Sequence, residues 1–302
     1  MKVGTGSNLL PMLAVIGSIL SLTVGTSFGK QLFPLLGPGG TALSRVLLAA
    51  LLLQLIWRPW QEKLSRQDKF KLLQFGLILG LTNFFFYQTI ARLPLGISIA
   101  IEFTGPLTVA VMLSRRLIDF VWVGVTALGL WLLLPMGFTH GGESSTSGLD
   151  PLGLVFAFVS ALLWGLYIVF GKRITHLHGG RSTTWGMTAA ALTIAPLAIA
   201  ESGAKLMQPQ LFLPALGLAI ASSAIPYSLE MYALKKLPKH TFGILLSLEP
   251  AVGALSGLFI LHEVLTFNQW LGIACVMSAS IGTTFAAKQD RAPLDAVAPD
   301  AL

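Results

Sequence analysis

Ten apolar runs separated by short polar connectors organise the chain, at roughly 9–33, 41–57, 70–91, 95–113, 118–137, 151–171, 183–200, 211–234, 241–261 and 268–287. Each approaches the ~20 residues that carry an α-helix across a bilayer, so the pattern predicts an all-α polytopic membrane protein with ten transmembrane helices. Only 58–69 and the Gly/Ser/Thr-rich 138–150 are long enough to be loops, and the tail from 288 is polar. The expected organisation is a first five-helix unit over 1–137, an external linker over 138–150, a second unit over 151–287 and a cytoplasmic tail over 288–302.

The charges between the runs orient this arrangement. Ten spans place both termini on one side. With that side taken as inside, sixteen of the 20 Lys and Arg residues fall on inside segments, among them Arg58, Arg66, Lys69, Lys71, Lys172, Arg173 and Arg181. Lys30, Arg92 and Lys205 fall outside, and Arg45 lies within a span. Cytoplasmic loops carry such an excess, so both termini are expected in the cytoplasm.

The two halves repeat one another. Pro94 and Pro238 are 144 positions apart, as are Pro106 and Pro250, and as are Asp119 and Glu263. Phe28-Gly29-Lys30 recurs as Phe170-Gly171-Lys172 at an offset of 142. Five helices per half is an odd number, so the second half is inserted upside down relative to the first. Inverted repeats with interrupted helices are the pattern of secondary transporters, whose sites lie near the midplane between the repeats.

Composition narrows the field. The chain is 54% hydrophobic and 11% charged, against about 25% charged in soluble domains. The net charge of +7 does not indicate a nucleic-acid partner, because the basic residues sit in short connectors where membrane topology accounts for them. A single cysteine, Cys275, excludes an internal disulfide and a cysteine metal cluster. Lys2 and the first apolar run look like a signal peptide without a cleavage site, and are expected to stay as the first helix.

Ionisable groups within apolar runs are few, and each is a functional candidate because hydrocarbon offers a charge no water. Glu102 lies near the middle of the fourth run, one turn before Pro106. Pro106 has no N–H to give the carbonyl of residue 102, so carboxylate and freed carbonyl share a face suited to an ammonium group or a proton. The competing reading is a structural pair with Arg45. Glu249 directly precedes Pro250, which biases it away from helical backbone. Glu230 follows Tyr227 by three residues, so the two share a face. It is a candidate proton carrier or a partner of Lys30 or Arg45. Arg45 suits a carboxylate, but near the start of its run it can instead snorkel to the surface. Asn83, Tyr87 and Gln88 in the third run, and Trp164 and Tyr167 in the sixth, are candidates to shape a pocket. Gly25/Gly29, Gly76/Gly80 and Gly253/Gly257 are spaced for close helix packing.

Absences matter as well. Val24 and Leu166 stand where a P-loop ending at Lys30 or Lys172 needs glycine, so any pumping draws on a gradient. There is no H-E-x-x-H, the five histidines lie in or beside loops, and no cofactor or metal is implied. A membrane-embedded enzyme acting on lipid phosphates would need a cluster of acids or histidines at one membrane face, and the sequence has none.

The longest informative strings are Glu102-Phe103-Thr104-Gly105-Pro106-Leu107, Ser114-Arg115-Arg116, Asp119-Phe120-Val121-Trp122, Pro226-Tyr227-Ser228-Leu229-Glu230-Met231, Thr241-Phe242-Gly243 and Ser247-Leu248-Glu249-Pro250-Ala251. With them the chain resembles the EamA branch of the drug/metabolite transporter superfamily, from the first span to the last. The resemblance implies ten helices in two inverted repeats and an inner-membrane location. It implies export of small neutral amino acids of the threonine/homoserine type, by proton-coupled exchange or facilitated diffusion. Related carriers of the branch take aromatic or purine-like metabolites instead. Assigning roles on physical grounds, the substrate ammonium meets Glu102 or Glu249, its carboxylate meets Arg45, a hydroxyl or a half-helix N-terminus, and Glu102 or Glu230 carries the proton.

Overall fold

The computed structural model describes residues 9–61, 64–113, 118–133, 150–174, 176–234 and 236–289. Among them every regular element is helical. The expected linker 138–149, the motif Ser114-Arg115-Arg116 and the tail beyond 289 lie outside the described residues.

The first apolar run forms α1 (Leu9–Gln31), followed by α2 (Phe33–Trp57) and α3 (Arg66–Ile90). The second run begins as helix eight residues earlier than the apolar pattern suggests. Pro34 starts it at a position where a missing N–H costs nothing, and Gly37 kinks it with φ +72°. Ser65 caps α3 by accepting from the Asp68 N–H at 3.1 Å. The fourth run is two helices, α4 (Leu95–Glu102) and α5 (Thr104–Leu113), interrupted at Phe103. Pro106 sits in the first turn of α5.

Next come α6 (Ile118–Leu133), α7 (Pro151–Gly171) and α8 (Gly179–Ser202). The eighth run is α9 (Phe212–Ala219) and α10 (Ile225–Leu234), joined by a π-helical turn over Ile220–Ala224. The ninth is α11 (Lys239–Leu246) and α12 (Glu249–Leu261), broken at Ser247–Leu248 with Pro250 in the first turn of α12. The chain then forms α13 (Phe267–Gln289). Among the described residues, seven helical segments are long and apolar enough to cross a membrane. Large apolar side chains also face outward, with Leu55, Ile56, Leu213 and Phe259 all strongly exposed. Such a surface is suited to lipid rather than water.

The helices pack as pairs drawn from both halves of the chain. α2 lies along α8, α6 along α13, and α4 against α12. α3 packs between α7 and α8, while α1 packs against α9, α10 and α12. The α3–α7 contact has a counterpart in the contact of α1 with α9 and α10. The α5–α7 contact likewise has a counterpart in α1–α12. The small-residue pairs sit at these crossings. A Cβ on Gly80 would stand 2.7 Å from the Ala190 carbonyl oxygen, and one on Gly25 would stand 2.9 Å from the Ser222 nitrogen. Only glycine lets the backbones come this close.

Candidate functional site

The two broken helices, the π-turn and the middle of α1, α2, α3 and α7 surround one cavity of about 350 Å³. Its wall carries Arg45, Glu102, Glu230 and Glu249, together with Asn83, Pro106, Trp164, Tyr167 and Tyr227. Helix breaks at Phe103 and Leu248 bring Glu102 and Glu249 to this wall at the end of one helical segment and the start of another.

Each ionisable group has a different setting. The Ser160 hydroxyl of α7 donates to Glu102 Oε1 and also lies 3.3 Å from the Thr82 carbonyl. A hydroxyl has one hydrogen, so it binds carboxylate and carbonyl only by sharing. Glu230 Oε1 accepts from the Ser18 hydroxyl at 2.7 Å. Glu249 accepts no hydrogen bond and makes no ion pair with any described residue. Half-buried on the cavity wall, this carboxylate is free to meet a cation or a proton.

Arg45 points inward. It is only 6% exposed, with Nε donating to the Ser223 hydroxyl at 3.0 Å and Nη2 donating to the Ser222 carbonyl at 2.8 Å. The π-turn supplies this carbonyl, because one residue of extra winding rotates the Ser222–Ser223 peptides toward α2. Its guanidinium lies 5.7 Å from the centre of the Tyr87 ring. Snorkelling is therefore not its conformation, and its hydrogen-bond partners are Ser222 and Ser223 rather than Glu102. The Nη1 donors make no hydrogen bond with any described residue.

Over residues 151–285 the chain matches the EamA-like transporter family. It is 39% identical over 281 residues to the threonine/homoserine exporter RhtA of Escherichia coli strain K12, covering 93% of each chain. The same figures hold for RhtA of Salmonella typhimurium strain LT2. The chain belongs to the EamA-like transporter family. A more distant relative is the uncharacterized inner membrane transporter YicL of Salmonella typhimurium, 24% identical over 72% of this chain and 73% of that one. A solved crystal structure 15% identical to the chain has a TM-score of 0.55, covering 95% of this chain and 99% of that one. At that identity it speaks for the fold alone. The protein is accordingly a multi-pass transporter of the bacterial inner membrane, not an enzyme acting on lipid phosphates.

Within this EamA-like transporter, several of the residues named from sequence stand apart from the cavity. Gln88 Nε2 donates to Glu201 Oε2 at 2.7 Å, and its Oε1 accepts from Arg92 at 3.1 Å. Helical rotation turns it from the Asn83 face toward the end of α8. Tyr87 is fully buried behind Arg45 with its hydroxyl unpartnered. It supports the guanidinium through its ring and does not reach the cavity wall. Asn83 does line the cavity, with Nδ2 donating to the Leu79 carbonyl at 2.9 Å, which leaves Oδ1 uncommitted. Trp164 packs edge-on against Phe103 at the helix break, with ring centroids 5.4 Å apart. Pro250 is buried in the first turn of α12 and is not part of the wall.

Sequence reasoning passed over Thr23, Thr26, Thr82, Ser160 and Ser222, all at or beside the site. Small hydroxyl residues are common in membrane helices and usually bond their own backbone, as Thr23, Thr82 and Ser222 do here. Ser160, like Ser18, instead bonds a carboxylate, and only its three-dimensional neighbour distinguishes it. Lys30 also finds a different partner from those expected: it pairs with Glu263, not Glu230.

Proposed function

We propose that this transporter exports small neutral amino acids of the threonine/homoserine type, binding the zwitterion in the central cavity. The observation that carries the reading is that one enclosed space presents both an uncommitted guanidinium edge on Arg45 and an unpartnered carboxylate on Glu249. The substrate carboxylate meets Arg45, and its ammonium meets Glu249. Glu102 and Glu230, each already accepting from a serine, are left to take up and release the proton in exchange. The identity to RhtA over nearly the whole chain supports a hydroxylated amino acid as substrate.

The chain threads as two inverted five-helix repeats with both termini in the cytoplasm. Rocking of one bundle against the other exposes the cavity to each face in turn. Helix pairings that survive exchange of the two halves support this organisation, and the loop charges support the orientation.

A second reading, export of aromatic or purine-like metabolites, draws on the aromatic wall formed by Phe86, Phe103, Trp164, Tyr167 and Tyr227. Counterflow in liposomes separates the two. Purified protein in vesicles loaded with unlabelled threonine or homoserine is expected to accumulate the labelled amino acid, and an imposed proton gradient is expected to drive net movement. Accumulation of labelled tryptophan or adenine, with neither hydroxylated amino acid moved, would replace this reading by the second.

A further inference from the structure

At one end of the bundle, where Arg92 also pairs with Asp150, the Lys30–Glu263 ion pair holds three segments together. Lys30 Nζ, at the last turn of α1, donates to Glu263 Oε1 at 2.6 Å and to the Leu93 carbonyl at 3.1 Å. Glu263 Oε2 accepts from the Leu95 N–H at 2.7 Å, so the same carboxylate caps the start of α4. Both side chains are mostly buried, at 22% and 15% exposure. The turn that presents Glu263 is itself constrained, with His262 in left-handed backbone at φ +58°.

These three segments continue into the cavity wall. Thr26 lies one turn before Lys30 and Ile99 one turn after Leu95, about 6 Å along each helix axis, and both line the cavity. Glu249 begins α12, whose last residue, Leu261, stands two positions before Glu263. The opposite end of the cavity is different. There a second space of about 150 Å³ shares Tyr167, Tyr227 and Glu230 with the first and reaches Trp57 and Gly180, beside the basic 58–71 connector. The Lys30 end is bolted and the Trp57 end is hollow.

We infer that Lys30 and Glu263 form the external gate of the transport pathway: while paired they hold α1, α4 and the α12–α13 turn together over the cavity, and substrate leaves outward when the pair separates. This deepens the transport reading and rests on the orientation proposed with it. Breaking the pair removes two charge-assisted contacts from the closed state only, which shifts the population toward the outward-open form.

The test uses full-length protein carrying Cys275→Ser and a reporter Thr26→Cys, in right-side-out and inside-out membrane vesicles. The probe is a membrane-impermeant methanethiosulfonate, with no substrate present. Adding Lys30→Met or Glu263→Gln is expected to speed labelling from the outer face about tenfold and to slow it from the inner face. A variant that has merely loosened or unfolded labels faster from both faces, and that result would overturn the gate. So would rates unchanged at both faces, or a rise confined to the inner face. Because no amino acid enters the assay, failure of the gate and failure of the amino-acid reading remain separate: the latter shows only in counterflow.

Discussion

Glu249→Gln tests the substrate pose most directly, because the structure separates its effect on binding from its effect on folding. The wild-type carboxylate accepts nothing from the described protein. Replacing it with an isosteric amide therefore breaks no hydrogen bond or ion pair with the described residues, and a neutral amide is cheaper to bury than a carboxylate. Thermal stability is expected to stay the same or rise. Binding behaves oppositely. A charge-assisted hydrogen bond between an ammonium and this carboxylate contributes about 1.5–3 kcal/mol. At about 1.4 kcal/mol per factor of ten, its loss raises the apparent Michaelis constant for threonine about 10- to 150-fold. The assay is labelled-threonine counterflow across a concentration series in liposomes, beside a thermal melt of the same preparation in detergent. A well-folded Glu249→Gln protein with the wild-type Michaelis constant would refute the pose. A variant that melts well below wild type would refute the premise that the carboxylate lacks a protein partner.

Two further substitutions probe the scaffold around the cavity. Gly105→Ala places a methyl group on the Ala161 carbonyl oxygen of α7, a backbone atom that cannot rotate away; it is expected to destabilise by at least the ~1–3 kcal/mol typical of overpacking, read as a lower melting temperature, and a wild-type melt would show that α5 and α7 are not tightly apposed. Tyr87→Phe removes a buried hydroxyl that has no partner while keeping the ring against Arg45; stability is expected to be unchanged or higher by about 1 kcal/mol with threonine counterflow retained, and loss of counterflow in a stable protein would give the hydroxyl a role that the structure does not.

Two of the helix breaks were legible from the proline and acid within an apolar run. A proline lacks an N–H wherever it stands, and the helices are interrupted just before Pro106 and Pro250, although Pro196 lies inside the unbroken α8. The π-turn over Ile220–Ala224 was not legible. Its residues, Ile-Ala-Ser-Ser-Ala, carry no proline or glycine, and only the fold brings Arg45 of α2 to the Ser222 carbonyl within it.

The same division runs through the site. That the chain is apolar, many-helixed and sparingly charged follows from composition and from the spacing of apolar runs, because hydrocarbon imposes the same length and the same penalty on every span. That the few acids inside those runs matter follows from the same cost. Which acid is free and which is already bonded does not. Glu102, Glu230 and Glu249 are alike as sequence, each an acid in an apolar run, yet Ser160 serves the first, Ser18 the second and nothing the third. Likewise nothing local told Gln88 from Asn83, or tied Lys30 to a glutamate 233 positions away. Helical periodicity sets which residues share a face, but the direction a face points is decided by the helix packed against it, and every one of those partners comes from a distant part of the chain.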